Sequence, residues 1–302
     1  MVVSERAITM ELRQLDYFLA CCEHGTFTAA ARSMQVVQSA VSTSVAKLER
    51  ELGAPLFDRT PTSLVLTEAG HAVVEPARAA VRARAEIVDA LAALRGNIRG
   101  DVAVGALVNI VTIDLAEAFG AVHRRHPGIA IAMRQNPQGS QGNIRGLRDG
   151  TLDLALLGGP DREIPGITGY RLAREPMVLV AHPDHRLIRA GAFTAADLAA
   201  ERTIDYPPGW GTRAVTDKWL PHRRSVIEVA DQNFGIRLAL NDFGVTLVPW
   251  SVAHDHAGAV GVPCTDRDLD WVVSIAHSSV RSPSTAARAV LDIVREMTTR
   301  TD

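Results

Sequence analysis

Four residues, Gln38, Ser39, Ser42 and Thr43, recur at the spacing i, i+1, i+4 and i+5, which places them on one face of a helix and offers hydrogen-bonding groups without charge or bulk. A glutamine can pair bidentately with adenine in the major groove, and short hydroxyls serve bases or phosphates. Around them Arg32, Lys47 and Arg59, with the hydroxyl of Thr28, are of the types that contact phosphate. A face of this kind also suits a helix that is merely solvated, so its context has to decide. Catalytic chemistry finds no comparable arrangement. His182, His185, His254 and His256 have no cysteine at ligand spacing, and Gly139-Ser140-Gln141-Gly142 lacks the spacing of a nucleophile elbow. Cys21 and Cys22 are adjacent and Cys264 is far away, which makes neither a disulfide framework nor a ligand set and reads as small buried side chains. We therefore expect no metal, no cofactor and no enzymatic activity.

The elements that would carry the polar face are legible around it. Leu12, Leu15, Phe18, Leu19 and Cys22 predict an amphipathic helix ending near Gly25, and Thr26 is a candidate N-cap for a short helix over 27–34 whose run Ala29-Ala30-Ala31 admits a close neighbour. A third helix is expected over 38–52, with Val41, Val45, Leu48 and Leu52 on its apolar stripe and Gly53 as C-cap. Leu56 and Phe57 return to the core, 58–63 reads as a polar loop and 64–66 as a strand, so that 58–66 forms a wing. Residues 67–96 read as one long helix. Val74, Val81 and Val88 stand seven apart with Ala77, Arg84 and Leu91 between them, a pattern that suits a pairing seam with a second copy or packing on its own domain. Gly96 and Gly100 read as a hinge.

Beyond residue 101 short apolar strands alternate with helices, the rhythm of an α/β domain. Strands are expected at 102–107, 152–157, 176–181, 226–229, 245–248 and 272–276, and helices at 112–126, 143–148, 234–241 and 284–298; Ile129, Ile131 and Met133 alternate as a further strand.

The ordered stretch Phe27-Thr28-Ala29-Ala30-Ala31, Gln38, Ser42, Leu48-Glu49, Leu52-Gly53, Leu56-Phe57, Arg59 and Leu66-Thr67-Glu68-Ala69-Gly70, opened by Leu12, closely resembles the LysR-type transcriptional regulators. The resemblance is strong over 10–70 and looser beyond. It implies an N-terminal winged helix-turn-helix at 10–66, a dimerising linker helix at 67–97 and a two-lobed α/β effector domain like that of periplasmic binding proteins at 98–302, with one lobe at about 98–171 and 272–302 and the other at about 172–271. Such chains usually start where Met10 stands, which makes 1–9 an upstream extension or an arm. Two departures stand out: Val37 occupies a position where the family often has Ser, and Thr43 one where it often has Arg.

The resemblance further implies double-stranded operator DNA as partner, a homodimer or homotetramer, and a small-molecule effector between the lobes. In such domains strand ends and helix N-termini converge on the ligand. The segments that qualify supply Leu107, Val108, Asn136, Ser140, Trp210, Thr212, Asn233 and Phe234. Ser140 and Thr212 at helix starts suit a carboxylate, hence an organic acid, although each equally suits an ordinary cap. Trp250 lies either at the same cleft or in the hinge. Bulk composition is neutral on the matter: 302 residues, 47% apolar, with a net charge of -2. Over 10–68 the acids Glu11, Asp16, Glu23, Glu49, Glu51, Asp58 and Glu68 outnumber the bases Arg13, Arg32, Lys47, Arg50 and Arg59, so a monomer is expected to bind DNA weakly, which multivalent binding by an oligomer can compensate. Apolar runs fall short of the ~20 residues of a membrane span, and Glu5 and Arg6 stand where a signal core would be, so no membrane partner and a cytoplasmic location are expected.

Overall fold

The first helix, α1 (Leu12–His24), turns out through Gly25, and Thr26 then caps α2 (Phe27–Ser33) by accepting from the Ala29 amide at 3.1 Å. The third helix, α3 (Gln38–Leu52), starts from Val37, whose extended backbone suits an N-cap but whose side chain has no oxygen to offer. It ends at Gly53, which at φ 73° occupies the left-handed region where a side chain would be strained. The strands β1 (Phe57–Arg59) and β2 (Leu64–Leu66) pair antiparallel, Phe57 opposite Leu66, as a two-stranded wing. The helix α4 (Glu68–Leu94) follows.

This computed structural model describes residues 9–59, 63–94, 97–108, 110, 111 and 113–298, without the side chains of 59, 85, 86, 88–90 and 92–94. The arm at 1–8, the wing tip at 60–62, the Arg59 and Val88 side chains, Gly96, Asn109 and Thr112 lie outside the described residues. The chain divides into two units, Met1–Leu91 and Ala92–Asp302.

In the first unit, Leu15, Phe18 and Cys21 of α1 meet Ala30 and Ala31 of α2, Val41, Val45 and Leu48 of α3, and Leu56 and Phe57. The Phe18 and Phe57 rings lie 5.4 Å apart, and the Glu49 carboxylate accepts from the Leu56 amide at 2.9 Å, which ties the wing to α3. Each fully buried Leu, Val or Phe contributes roughly 1.5–3 kcal/mol.

The second unit contains β3 (Arg99–Ala106), α5 (Leu115–Arg125), β4 (Gly128–Gln135), α6 (Gly139–Asp149), β5 (Leu154–Gly159), β6 (Ile167–Val180), α7 (Arg186–Ala190) and α8 (Ala195–Ala199). After these come β7 (Arg202–Asp205), α9 (Gly211–Trp219), β8 (Arg224–Glu228), α10 (Gln232–Leu240), β9 (Val245–Pro249), α11 (Trp250–Asp255), β10 (Gly261–Pro263), β11 (Asp270–Ser278) and α12 (Thr285–Thr298). The strands order as β4-β3-β5-β11-β6-β9-β7-β8, with β10 also on β6. On β5, Leu154 and Leu156 join the core under α5 and α12, whereas Ala155 and Leu157 join the one under α6, as a two-residue period requires.

Three expectations need correction. Gly100 is no hinge glycine, because it sits inside β3 opposite Ile129. The strand expected at 176–181 is the end of the longer β6, which pairs with β11 as far as Pro176 and with β9 from Met177 onward. The helix expected at 143–148 begins at Gly139, so Ser140 belongs to its first turn.

Because Val37 has the backbone of a cap without its oxygen, Val37→Ser is expected to raise the stability of the first unit by about 1 kcal/mol, while Val37→Ala changes it little. Denaturant unfolding followed by circular dichroism checks both.

Candidate nucleic-acid interface and effector groove

The buried stripe of α3 leaves Gln38, Ser39 and Thr43 exposed. Ser42 is half-buried and its hydroxyl donates to the Ser39 carbonyl at 3.3 Å. Thr28 and Arg32 are exposed on α2, and Arg32 makes no ion pair among the described residues. Lys47 is placed differently from what a phosphate contact needs: its ammonium lies 2.7 Å from Glu11 and 3.9 Å from Glu51. The hydrogen bond and charge of Lys47 hold the Glu11 carboxyl below the usual range, and Glu11 raises Lys47 in return. Sequence reading overlooked this pairing, for which the acidic excess of 10–68 was the available signal.

On α4, Ala77 is buried in the core of its own unit, and Val74 and Val81 pack against that core while remaining partly exposed. Further along, Ile87 and Leu91 remain 67% and 59% exposed. Burial pushes the Cys21 thiol up to about 12 and that of Cys22 to about 11, which keeps both protonated. No group of three or more His, Cys, Asp or Glu able to hold a metal occurs among the described residues, and no described helix is long and apolar enough to cross a membrane.

In the second unit the eight residues chosen from the sequence part company. Leu107 packs against the α5 side of the sheet, and Val108 joins the cluster of Tyr206 and Trp210. The Trp210 indole stacks at 6.2 Å on Tyr206 and donates to the Pro137 carbonyl at 3.0 Å. Asn136 accepts from the Gln138 amide. The two hydroxyls chosen for an anion differ: that of Ser140 is engaged, whereas that of Thr212 is buried with no hydrogen-bond partner among the described residues. Ser140 donates to the Gly158 carbonyl at 2.8 Å and accepts from the Gly158 amide at 3.0 Å, fastening α6 to the end of β5. Thr212 is buried, 1% exposed. Asn233 and Phe234 lie in the first turn of α10, where Asp231 accepts from both amides, and Phe234 is exposed at the surface instead of forming an apolar wall. Trp250, likewise exposed, stacks on His254.

A groove of about 1130 Å³ opens between α6, the end of β5 and α9, with β6 and β11 contributing to its lining. Of the eight residues only Ser140 lines it. Its charged lining is balanced, with Arg162, Arg171 and Arg213 set against Asp161, Glu163 and Asp217, and Gln141, Thr168 and Ser274 stand beside the apolar Ile144 and Val272. Arg171 stands directly across the strands from Ser274 and 3.6 Å from the exposed Asp161. Arg213 is held by Asp217 at 2.8 Å and by the Tyr206 carbonyl at 3.0 Å. Nothing in the spacing of these arginines marks them, since strand pairing decides the face that Arg171 takes, while Arg162 follows β5 and Arg213 lies on α9. The wall is sealed where α9 meets β5. A Cβ on Gly211 would stand 1.9 Å from the Gly158 carbonyl oxygen, so only glycine permits this approach.

A helix-turn-helix with a two-stranded wing, ahead of an α/β unit built on two crossing strands, is the plan of a DNA-binding regulator with a sensing domain. The family described as "Bacterial regulatory helix-turn-helix protein, lysR family" matches residues 12–71, and the "LysR substrate binding domain" matches 95–299. The chain belongs to the LysR family of DNA-binding transcriptional regulators, a family of regulators and not of enzymes. It is 33% identical over 220 residues to the RuBisCO operon transcriptional regulator of Allochromatium vinosum, covering 72% of this chain and 71% of that one. It is also 33% identical over 297 residues to TfdS of Cupriavidus pinatubonensis, covering 95% and 98%. A full-length OxyR variant from Pseudomonas aeruginosa shares the fold with a TM-score of 0.77 at 22% identity, covering 95% of both chains. CbnR crystallised with its target DNA shares it at 0.64 and 24% identity, covering 95% of this chain and 100% of that one.

Gly211→Ala is expected to destabilise the second unit by about 3 kcal/mol, since the methyl group would meet backbone that cannot swing aside. Denaturant titration should show the transition of the second unit shifted and that of the first unit unmoved.

Proposed function

We propose that the chain binds double-stranded operator DNA as a homodimer or homotetramer in the cytoplasm, and that a small organic acid held between the lobes alters this binding. The working division is 10–66 for DNA, 67–97 for linking and 98–302 for sensing, with lobes at about 98–171 with 272–302 and at about 172–271. The observation that carries the reading is the two-faced α3. Val41, Val45 and Leu48 are fully buried, and Gln38, Ser39 and Thr43 form an exposed, slender, uncharged face near the N-terminus. Such a face enters a major groove and reads base edges. Thr28, Arg32 and Arg59 supply phosphate contacts around it, and Ser42 and Lys47 complete the face once their internal partners are exchanged for DNA. Ile87 and Leu91 favour a second copy along the end of α4.

The groove beside Ser140 supports an acid as effector. Among the described residues Arg171 has only a long contact to an exposed aspartate, which a ligand carboxylate can displace, while Ile144 and Val272 accept an apolar body. Coupling requires that the acid bind one conformation of the regulator more tightly than another.

In gel-shift titrations against the upstream region of its own gene, Gln38→Ala should lose about 1–3 kcal/mol of discrimination at one half-site position. Arg59→Ala should weaken all sequences alike and reduce the slope of affinity with salt by about one unit. Uniform loss for Gln38→Ala would overturn its role as a base reader. Calorimetry with a panel of aliphatic and aromatic carboxylates should find a ligand that binds roughly ten- to a hundredfold more weakly to Arg171→Ala. Unchanged affinity in that variant, with loss on substituting Val108, would move the effector to the strand ends.

A further inference from the structure

The packing of α4 on its unit is apolar through Val73, Val74, Ala77, Ala80 and Val81, and such contact is non-directional. One turn further along the same face, Arg84 reaches α1. Its two terminal nitrogens donate to the two carboxylate oxygens of Asp16, Nη1 to Oδ2 at 2.7 Å and Nη2 to Oδ1 at 3.0 Å. Asp16 is 18% exposed and Arg84 45% exposed, so the pair is too solvated to add much stability. Its geometry does something else: a bidentate fork fixes direction as well as distance. Arg84 is also the furthest of the described side chains of α4 that α1 holds by a hydrogen bond, since Ile87 and Leu91 beyond it face solvent.

We propose that the Asp16–Arg84 pair fixes the angle at which α4 leaves the DNA-binding unit and thereby selects the spacing between operator half-sites. The proposal rests on the reading of the chain as a DNA-binding dimer paired along α4. From Arg84 to Leu94 the helix extends about 15 Å, so a tilt of about 10° moves its far end by roughly 3 Å. In a two-fold dimer both arms move, and a combined displacement of roughly 5 Å exceeds one base-pair step of ~3.4 Å. The apolar contacts alone permit such rocking. The fork does not.

The test uses the full-length protein and operator fragments in which the two half-sites are brought closer or moved apart one base pair at a time, together with a fragment carrying a single half-site. The wild-type chain should prefer one spacing by about tenfold or more, because avidity is lost when geometry forbids simultaneous engagement. Arg84→Ala should flatten that preference while leaving single half-site affinity and the melting temperature unchanged. The double variant Asp16→Arg with Arg84→Asp, which re-forms the pair with its charges exchanged, should restore a spacing preference. An unaltered spacing profile in Arg84→Ala, a parallel loss of single half-site affinity, or failure of the exchanged pair to restore selectivity would each overturn the proposal. Specific binding by the wild type with no spacing preference sinks this inference alone. No specific binding at all sinks the DNA-binding reading and this inference with it.

Discussion

Burial of Val41, Val45 and Leu48 governs what the first unit can do. A helix has one face to give to the core, and these side chains, none of them exposed, take it. The wing, the close approach of α2 through Ala30 and Ala31, and the tie from Glu49 to the Leu56 amide all hold that stripe in place. What remains of the α3 surface is therefore determined: Gln38, Ser39 and Thr43 face outward because their neighbours in the helical period face inward.

The second unit obeys the same logic with a period of two. The strands β6 and β11 run side by side, and β6 passes from β11 to β9 along its length, so a single strand serves both parts of the sheet. Alternation along these strands sends Ile275 to the α5 core and Ala276 to the α6 core. A shift in the β6–β11 register between Val273 and Ser274, which passes over Leu172, places Arg171 and Ser274 opposite one another at the groove. The helices above can close on the sheet only as far as their side chains allow. Glycine at 211 lets α9 come within contact of the β5 backbone, and Ser140 bonds α6 to the same carbonyl and amide. Ser140, which looks suited to an anion in the sequence, serves instead to join two elements.

Electrostatics complicates the interface. Lys47 is engaged by Glu11 and Glu51, which lessens the positive field that α3 presents. Exposed pairs of this kind are weak and are exchanged readily for phosphate, at the cost of affinity for a single site. In the proposed oligomer, an interface poor in cations would draw its affinity from engaging two half-sites at once, and the direction of α4 would then matter alongside the contacts of α3.

Period and punctuation made most elements legible beforehand. The helices α1 to α3, their ends at Gly25 and Gly53, the wing strand 64–66 and the α/β alternation all follow from local patterns, as does the polar face of α3, because a helix needs only its own sequence to sort residues onto faces. The sequence also carried the missing cap at Val37. Partners distant in the chain were decided by tertiary structure alone: Arg84 with Asp16, Lys47 with Glu11, Ser140 with Gly158, and Ala77 with the core of its own unit. The groove is the clearest case, since Arg171 and Ser274 stand about a hundred residues apart and meet only through strand register. Local periodicity can say which side of an element a residue takes, but not which other element arrives there, because that depends on how all the buried faces are satisfied together.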